Sequence, residues 1–216
     1  LILKKNNQAK RIILKVSSLT SDISLTIPKY ETEKNAIKFL NTNKKWLQKE
    51  LKLLPKRVLI KDKAIILYKG VPHQIIYLGG KRRLIYVYKN NIFVFGNKEN
   101  LNKNLKKWLQ DKASFEITKI TIAKSKLIGK SFNKLRIKEL KSSWGTCGAN
   151  GNISFSWRLI LAPPQVMEYI IVHEICHLVE LNHSKNFWKL VTDLFPYKNH
   201  SEKWLKINGN LLHLIH

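Results

Sequence analysis

Apolar and polar residues alternate from Arg11 to Ser17 and again from Ile23 to Ile27, with Ser18-Leu19-Thr20-Ser21-Asp22 between them. On a strand every second side chain falls on one face, so this pattern predicts two paired strands joined by a polar loop, and Pro28 stops them. From Glu31 to Leu54 the period changes. Ile37, Leu40, Trp46, Leu47, Leu51 and Leu54 recur at helical spacing until Pro55 ends the run. Four β-rich segments follow, Ile65 to Tyr68, His73 to Leu78, Arg83 to Tyr88 and Asn91 to Phe95, separated by Gly70, Gly79-Gly80 and Asn90-Asn91. Those separators are turn formers, so the segments predict a small, mostly antiparallel sheet.

Helical spacing returns near Asn97, where Leu101, Leu105, Trp108, Leu109, Phe115, Ile117, Ile120 and Ile128 mark one long helix or two consecutive ones with a Lys-rich outer face. Leu135 to Leu140 and Ile153 to Trp157 read as strands around the loop 141–152, and from Pro163 onward the chain reads as helices. The expected fold is α+β in two domains. Residues 1–97 form a small, mostly antiparallel sheet with one helix, and residues 98–216 form a helical domain with a short sheet. No internal repeat, low-complexity linker or glycine-rich phosphate loop interrupts the pattern.

Composition narrows the class. The chain has 216 residues and is 44% hydrophobic, enough to bury a core and to exclude disorder, collagen and a small disulfide scaffold. Cys147 and Cys176 are expected as reduced thiols, since one possible bridge is no disulfide framework. The longest apolar runs, such as Tyr169-Ile170-Ile171-Val172, fall far short of the roughly 20 residues of a bilayer span. The opening Leu1-Ile2-Leu3-Lys4-Lys5 lacks the h-region of a secretory signal, although a start at Leu1 leaves room for a preceding segment. A soluble, cytoplasmic protein is the expectation. Forty Lys+Arg against 14 Asp+Glu give a net charge of +26. Such a charge suits a polyanionic partner such as nucleic acid. Only six of the 40 are Arg, however, and the lysines are spread along a chain crowded with Ile and Asn, so a solvated basic surface is the preferred reading.

The candidate chemistry lies near the end. Pro163-Pro164-Gln165 opens a helix, and Met167 through Leu181 is apolar nearly all round, so this helix should be buried. It carries His173, Glu174 and His177, the pattern His-Glu-x-x-His, which sets two imidazoles one turn apart on one face. Glu174 sits beside that face, placed to serve as a general base without occupying a coordination position. His183 can be a third ligand only if the chain turns after Leu181. Asn182 adopts the left-handed conformation readily, and Ser184 can cap a following helix from Lys185 to Phe195. Three neutral imidazoles and a water form an open site of the catalytic zinc kind. A buried Glu and two His without partners would cost several kcal/mol, about 2–7 kcal/mol for each polar group, which favours coordination. A closed, structural metal would need a fourth ligand, for which Cys176 is nearest; its expected role is that of a small buried hydrophobe. His73, His200, His213 and His216 lack ligand spacing and read as surface or capping groups, and Phe187, Trp188 and Trp204 read as core.

Beyond the five-residue motif, the chain resembles the YgjP-like metal-dependent hydrolases, zincin-fold metallopeptidases related to the SprT-like and WLM groups. The likeness is carried by Lys141-Ser142-Ser143-Trp144-Gly145-Thr146-Cys147, Gly151-Asn152-Ile153-Ser154, Leu159-Ile160-Leu161-Ala162-Pro163, Val172-His173-Glu174-Ile175-Cys176-His177-Leu178 and Asn182-His183-Ser184-Lys185-Asn186-Phe187-Trp188. Ile27-Pro28 and Lys44-Lys45-Trp46-Leu47 resemble the family's leading segment. The chain departs from the pattern at Ser143, where the family usually has Arg, and at Thr146, where it has Ser. Metzincins share the histidine spacing, but Glu180 stands where they carry glycine, and no Met-turn signature follows.

The resemblance implies a zincin-like metallopeptidase domain in which His173, His177 and His183 bind Zn2+ and Glu174 is the catalytic base. A peptide or protein substrate is expected on the edge of strand 152–157, at Ile153, Ser154 and Phe155, as in related zincins. The alternative is a nucleic-acid-associated zinc protein, either an SprT-like protease acting on DNA-bound proteins or a non-catalytic binder.

Overall fold

A computed structural model describes residues 1–16, 22–53 and 58–215 and divides the chain into two units, Leu1–Lys56 and Arg57–His216. In the first unit the predicted hairpin forms from β2 (Ile13–Val16) and β3 (Ile23–Pro28), paired antiparallel; most of its loop lies outside the described residues. A third strand, β1 (Ile2–Asn6), pairs in parallel with the other edge of β3. It is exposed at every position, so no inward-facing alternation marks it in the sequence. The single helix expected from Glu31 onward is two, α1 (Glu33–Thr42) and α2 (Lys44–Leu53). The Thr32 hydroxyl caps α1 by accepting from the Asn35 N–H at 3.2 Å. At its other end the Asn43 side-chain amide donates to the Phe39 carbonyl at 2.8 Å, ending the first helix. Leu25, Ile27 and Ala36 form the small core of this unit.

The second unit begins with four strands, β4 (Ile65–Tyr68), β5 (Val71–Gly79), β6 (Leu84–Tyr88) and β7 (Asn91–Phe95), in the order β4-β5-β7-β6. Only the central β5–β7 pair is parallel. The long helix α3 (Leu101–Leu127) is continuous and buries every fourth residue, Leu101, Leu105, Leu109, Ala113, Ile117, Thr121 and Ser125, while Phe115 points outward. Ile66, Ile75, Ile92 and Val94 of the sheet share one core with that helix. The boundary expected at 97/98 therefore falls inside the second unit, because the sheet's apolar face has the helical region as its partner.

A second sheet follows, of β8 (Lys134–Lys138), β9 (Gly145–Cys147) and β10 (Asn152–Ser156), with β10 in the middle. A 3₁₀ turn, Trp157–Leu161, leads into α4 (Pro164–Cys176), α5 (Lys185–Leu194) and α6 (Lys198–His213). Among the described residues no helix is long and apolar enough to cross a membrane.

Arg158 braces this arrangement. Its guanidinium is buried, pairs with Glu139, donates to the carbonyls of Leu212 and Ile215 at 3.1 Å each, and lies 4.7 Å from the Trp157 ring. Burial pulls its pKa down to about 10. The buried charge is met by a carboxylate, two carbonyls and an aromatic face.

The turn between β4 and β5 is pinned to the start of α4. Lys69 and Gly70 both have positive φ, 51° and 81°, and their N–H groups donate to Ile160 and Leu161. A Cβ on Gly70 would come within 2.6 Å of Pro163 Cγ and 2.9 Å of its Cα, whereas one on Gly129, φ 62°, would meet nothing within 4 Å. Gly70→Ala is expected to lower stability by about 2–4 kcal/mol and Gly129→Ala by about 1 kcal/mol, as read by urea unfolding. Equal losses would contradict the close approach at Pro163.

Candidate metal centre

Helix α4 is buried on nearly every side: Val166, Met167, Tyr169 to Val172, Ile175 and Cys176 all lie in the core. The polar groups of the motif interrupt this apolar surface. The helix ends at Cys176, earlier than the turn expected after Leu181, and His177 occupies the C-cap. The N–H groups of Leu178, Val179 and Glu180 bond back to Ile175 and Cys176, so the chain reverses in ordinary turns. Asn182 is not left-handed, contrary to expectation, because the reversal is complete before it. Ser184 does cap α5, its hydroxyl accepting from the Phe187 N–H at 3.2 Å.

That reversal brings His183 back to the helix. Its Nε2 lies 3.1 Å from His173 Nε2, and the ligand atoms of His173, His177 and His183 all lie within 4.8 Å of one another. The Glu180 carbonyl is an acceptor 2.9 Å from His177 Nδ1, so that nitrogen is the donor of this bond and the ring is fixed by it. Aromatic rings hold the imidazoles in place. Phe187 stacks on His177 with centroids 4.5 Å apart, and Trp188 stacks on His183 at 5.5 Å. Burial, reinforced by the neighbouring His177 and His183, pushes the His173 pKa down to about 4 and keeps it neutral. Converging imidazoles suit a borderline divalent metal, and three of them leave a coordination position open. Cys176 is buried outside this donor set.

Glu174 is 8% exposed, and burial raises its pKa to about 7. It reaches the site because β9 begins with glycine. A Cβ on Gly145 would lie 2.5 Å from Glu174 Cγ and 2.8 Å from its Oε1. Sequence reasoning singled out the Trp144-Gly145 pair but not this contact, which depends on two segments meeting in space. Burial, followed by the Glu174 charge, raises the Cys147 thiol to about 11, so the neighbouring cysteine is no thiolate nucleophile at neutral pH.

Strand β10 does not offer the expected edge. It is flanked by β8 and β9, with Ile153 and Phe155 fully buried and Ser154 nearly so. A three-residue strand hidden in the predicted loop takes the edge instead. Trp144 and Gly148 bond to Ser156 and Asn152 of β10, so by antiparallel alternation the backbone groups of Gly145 and Cys147 face away from the sheet. Clefts open on both sides of the histidines. One of about 320 Å³ is lined by residues including Trp144, Tyr169, His173 and Glu174; another of about 630 Å³ is lined by residues including Asn133, Asn150 and His177.

Of the other histidines, His200 is exposed as expected and His216 lies outside the described residues. His73 and His213 correct the surface reading. His73 is buried with Nδ1 2.8 Å from the Val71 carbonyl, and His213 is buried with its ring 4.5 Å from Trp144. Phe187 is core, and it is also a wall of the site.

A buried helix that brings two imidazoles together with a third from the following turn, beside a carboxylate, can hold a metal ion. The family profile described as YgjP-like, metallopeptidase domain, matches residues 10–208, and the chain belongs to that family. Searches among curated proteins and among solved structures gave no significant match.

The raised pKa of Glu174 gives a pH signature. Below its ordinary value of 4.5 both the folded and the unfolded carboxyl are protonated. As pH rises from there toward 7 the unfolded chain ionises first, so the folded state loses stability, and above about 7 the loss is complete at about 3 kcal/mol. In metal-free protein, Glu174→Gln is expected to differ little from wild type in its pH-dependent part near about pH 4, and to gain up to about 3 kcal/mol on it by about pH 8, read by urea unfolding. A difference independent of pH would contradict the burial of this carboxylate.

Proposed function

We propose that the protein is a zinc peptidase in which His173, His177 and His183 hold Zn2+ and Glu174 is the general base. The observation that carries this reading is the convergence of three imidazole nitrogens within 4.8 Å of one another on and beside the helix that presents the buried Glu174. Zinc, when bound, supplies a Lewis acid that polarises the substrate carbonyl and acidifies the attacking water.

The chain's own groups do the rest. A carboxyl with a pKa near 7 is balanced between its two forms at neutral pH. Glu174 takes a proton as the water oxygen bonds to the peptide carbon, then delivers it to the leaving nitrogen as the C–N bond breaks. The base returns to its starting form with one water consumed. The outward-facing backbone of Gly145 and Cys147 offers main-chain hydrogen bonds to an extended peptide, replacing the role expected of Ile153, Ser154 and Phe155. Gly145 also lets that peptide's carbonyl approach Glu174, since any side chain there would occupy the carboxylate's place.

Glu174→Gln separates chemistry from metal binding. With a quenched-fluorescence peptide library as substrate, the variant is expected to keep its zinc and lose roughly 10²–10⁴-fold in turnover. Turnover at the wild-type rate would remove Glu174 from the base role.

A further inference from the structure

The cleft on the His173 side has a chemical character that peptide hydrolysis alone does not require. Its walls are apolar and aromatic, from Trp144, Tyr169, Ile170 and Leu205, and a carboxylate, Glu202 of α6, lines the same space. In a chain with 40 Lys+Arg and 14 Asp+Glu, this is a carboxylate of the minority sign, placed beside the histidine cluster.

Glu202 is held in position from the metal helix. The Tyr169 hydroxyl, one turn before His173, donates to Glu202 Oε1 at 2.6 Å. Tyr169 is itself 4% exposed, so the bond has a rigid donor. Lys198 forms an ion pair with the same Oε1 at 3.8 Å, and its ammonium also lies 3.9 Å from the Trp188 ring centroid, so it is shared between the two. The Glu202 side chain keeps 42% of its exposure and can accept a further cation.

We propose that this cleft binds a cationic group of the substrate, an ammonium or guanidinium, with Glu202 as the specificity-determining residue. The volume of about 320 Å³ and the apolar walls suit the aliphatic stem of a Lys or Arg side chain next to the cleaved bond, with the charge delivered to Glu202. A free N-terminal amine carries the same charge without the stem. The inference rests on the peptidase reading for its substrate class, and it is tested by binding so that the two can fail separately.

The protein used is the zinc-loaded Glu174→Gln variant, which removes the other carboxylate of the cleft, and the readout is titration calorimetry. Peptides of one sequence carry lysine or norleucine at each position in turn, with the N-terminus acetylated or free. A charge-assisted contact is expected to make one acetylated lysine peptide bind about tenfold tighter than its norleucine partner, and adding Glu202→Gln should erase that difference. Gln keeps an acceptor for Tyr169, so the local fold is preserved. A Glu202-dependent gain seen only with free N-termini would assign the cation to the amine and uphold the proposal. Equal binding of the lysine and norleucine peptides in every series, or a lysine preference that survives Glu202→Gln, would overturn it. Glu202-dependent binding without turnover in the wild type would sink the peptidase reading alone.

Discussion

The helix that carries the site is also the helix around which the second unit packs. Placing two half-buried imidazoles and a buried carboxylate on such a helix is costly unless each has a designated neighbour. The local structure supplies those neighbours. The chain reverses at His177 and returns His183 to His173, the Glu180 carbonyl fixes the His177 ring, and Phe187 and Trp188 close over the imidazoles. On the other flank, β9 approaches so closely that only glycine fits against Glu174. The polar cluster and its cover are therefore one arrangement, and removing any part exposes or strands the others.

Much of this was legible in the residues. The His173, Glu174 and His177 spacing, the apolar run around it and the Ser184 cap are local features, and local features survive translation into structure. The turn that brings His183 home was expected a few residues too late, because apolar Leu178, Val179 and Leu181 extend the helical pattern beyond the point where the backbone leaves it. Likewise Asn43 ends α1 through a side-chain bond within an uninterrupted hydrophobic period. What periodicity cannot report is which elements meet. Strand β9 is too short to show alternation, and its presence turns β10 from an edge into a centre. The boundary between the two units lies earlier than 97/98 for the same reason: the four-stranded sheet looks self-contained in sequence, but its apolar face is completed by α3.

Charge acts on two scales. The net +26 belongs to the whole chain and describes its surface. The site follows its own rule, in which burial keeps His173 neutral and raises Glu174 toward neutrality. Both shifts come chiefly from exclusion of water at one place, and they leave the His173 nitrogen unprotonated and the Glu174 carboxyl able to move a proton near pH 7. Arg158, buried in the same unit, shows the contrasting solution: a charge held by a carboxylate and two carbonyls and used as a brace.

The central claim is that three histidines from two adjoining segments hold one metal ion. Elemental mass spectrometry on the purified protein, comparing wild type with His183→Ala, tests it most directly. About one zinc per chain in the wild type and a large loss in a folded variant is the expected result. A folded wild type without metal after zinc loading, or a variant that retains the full complement, would contradict it.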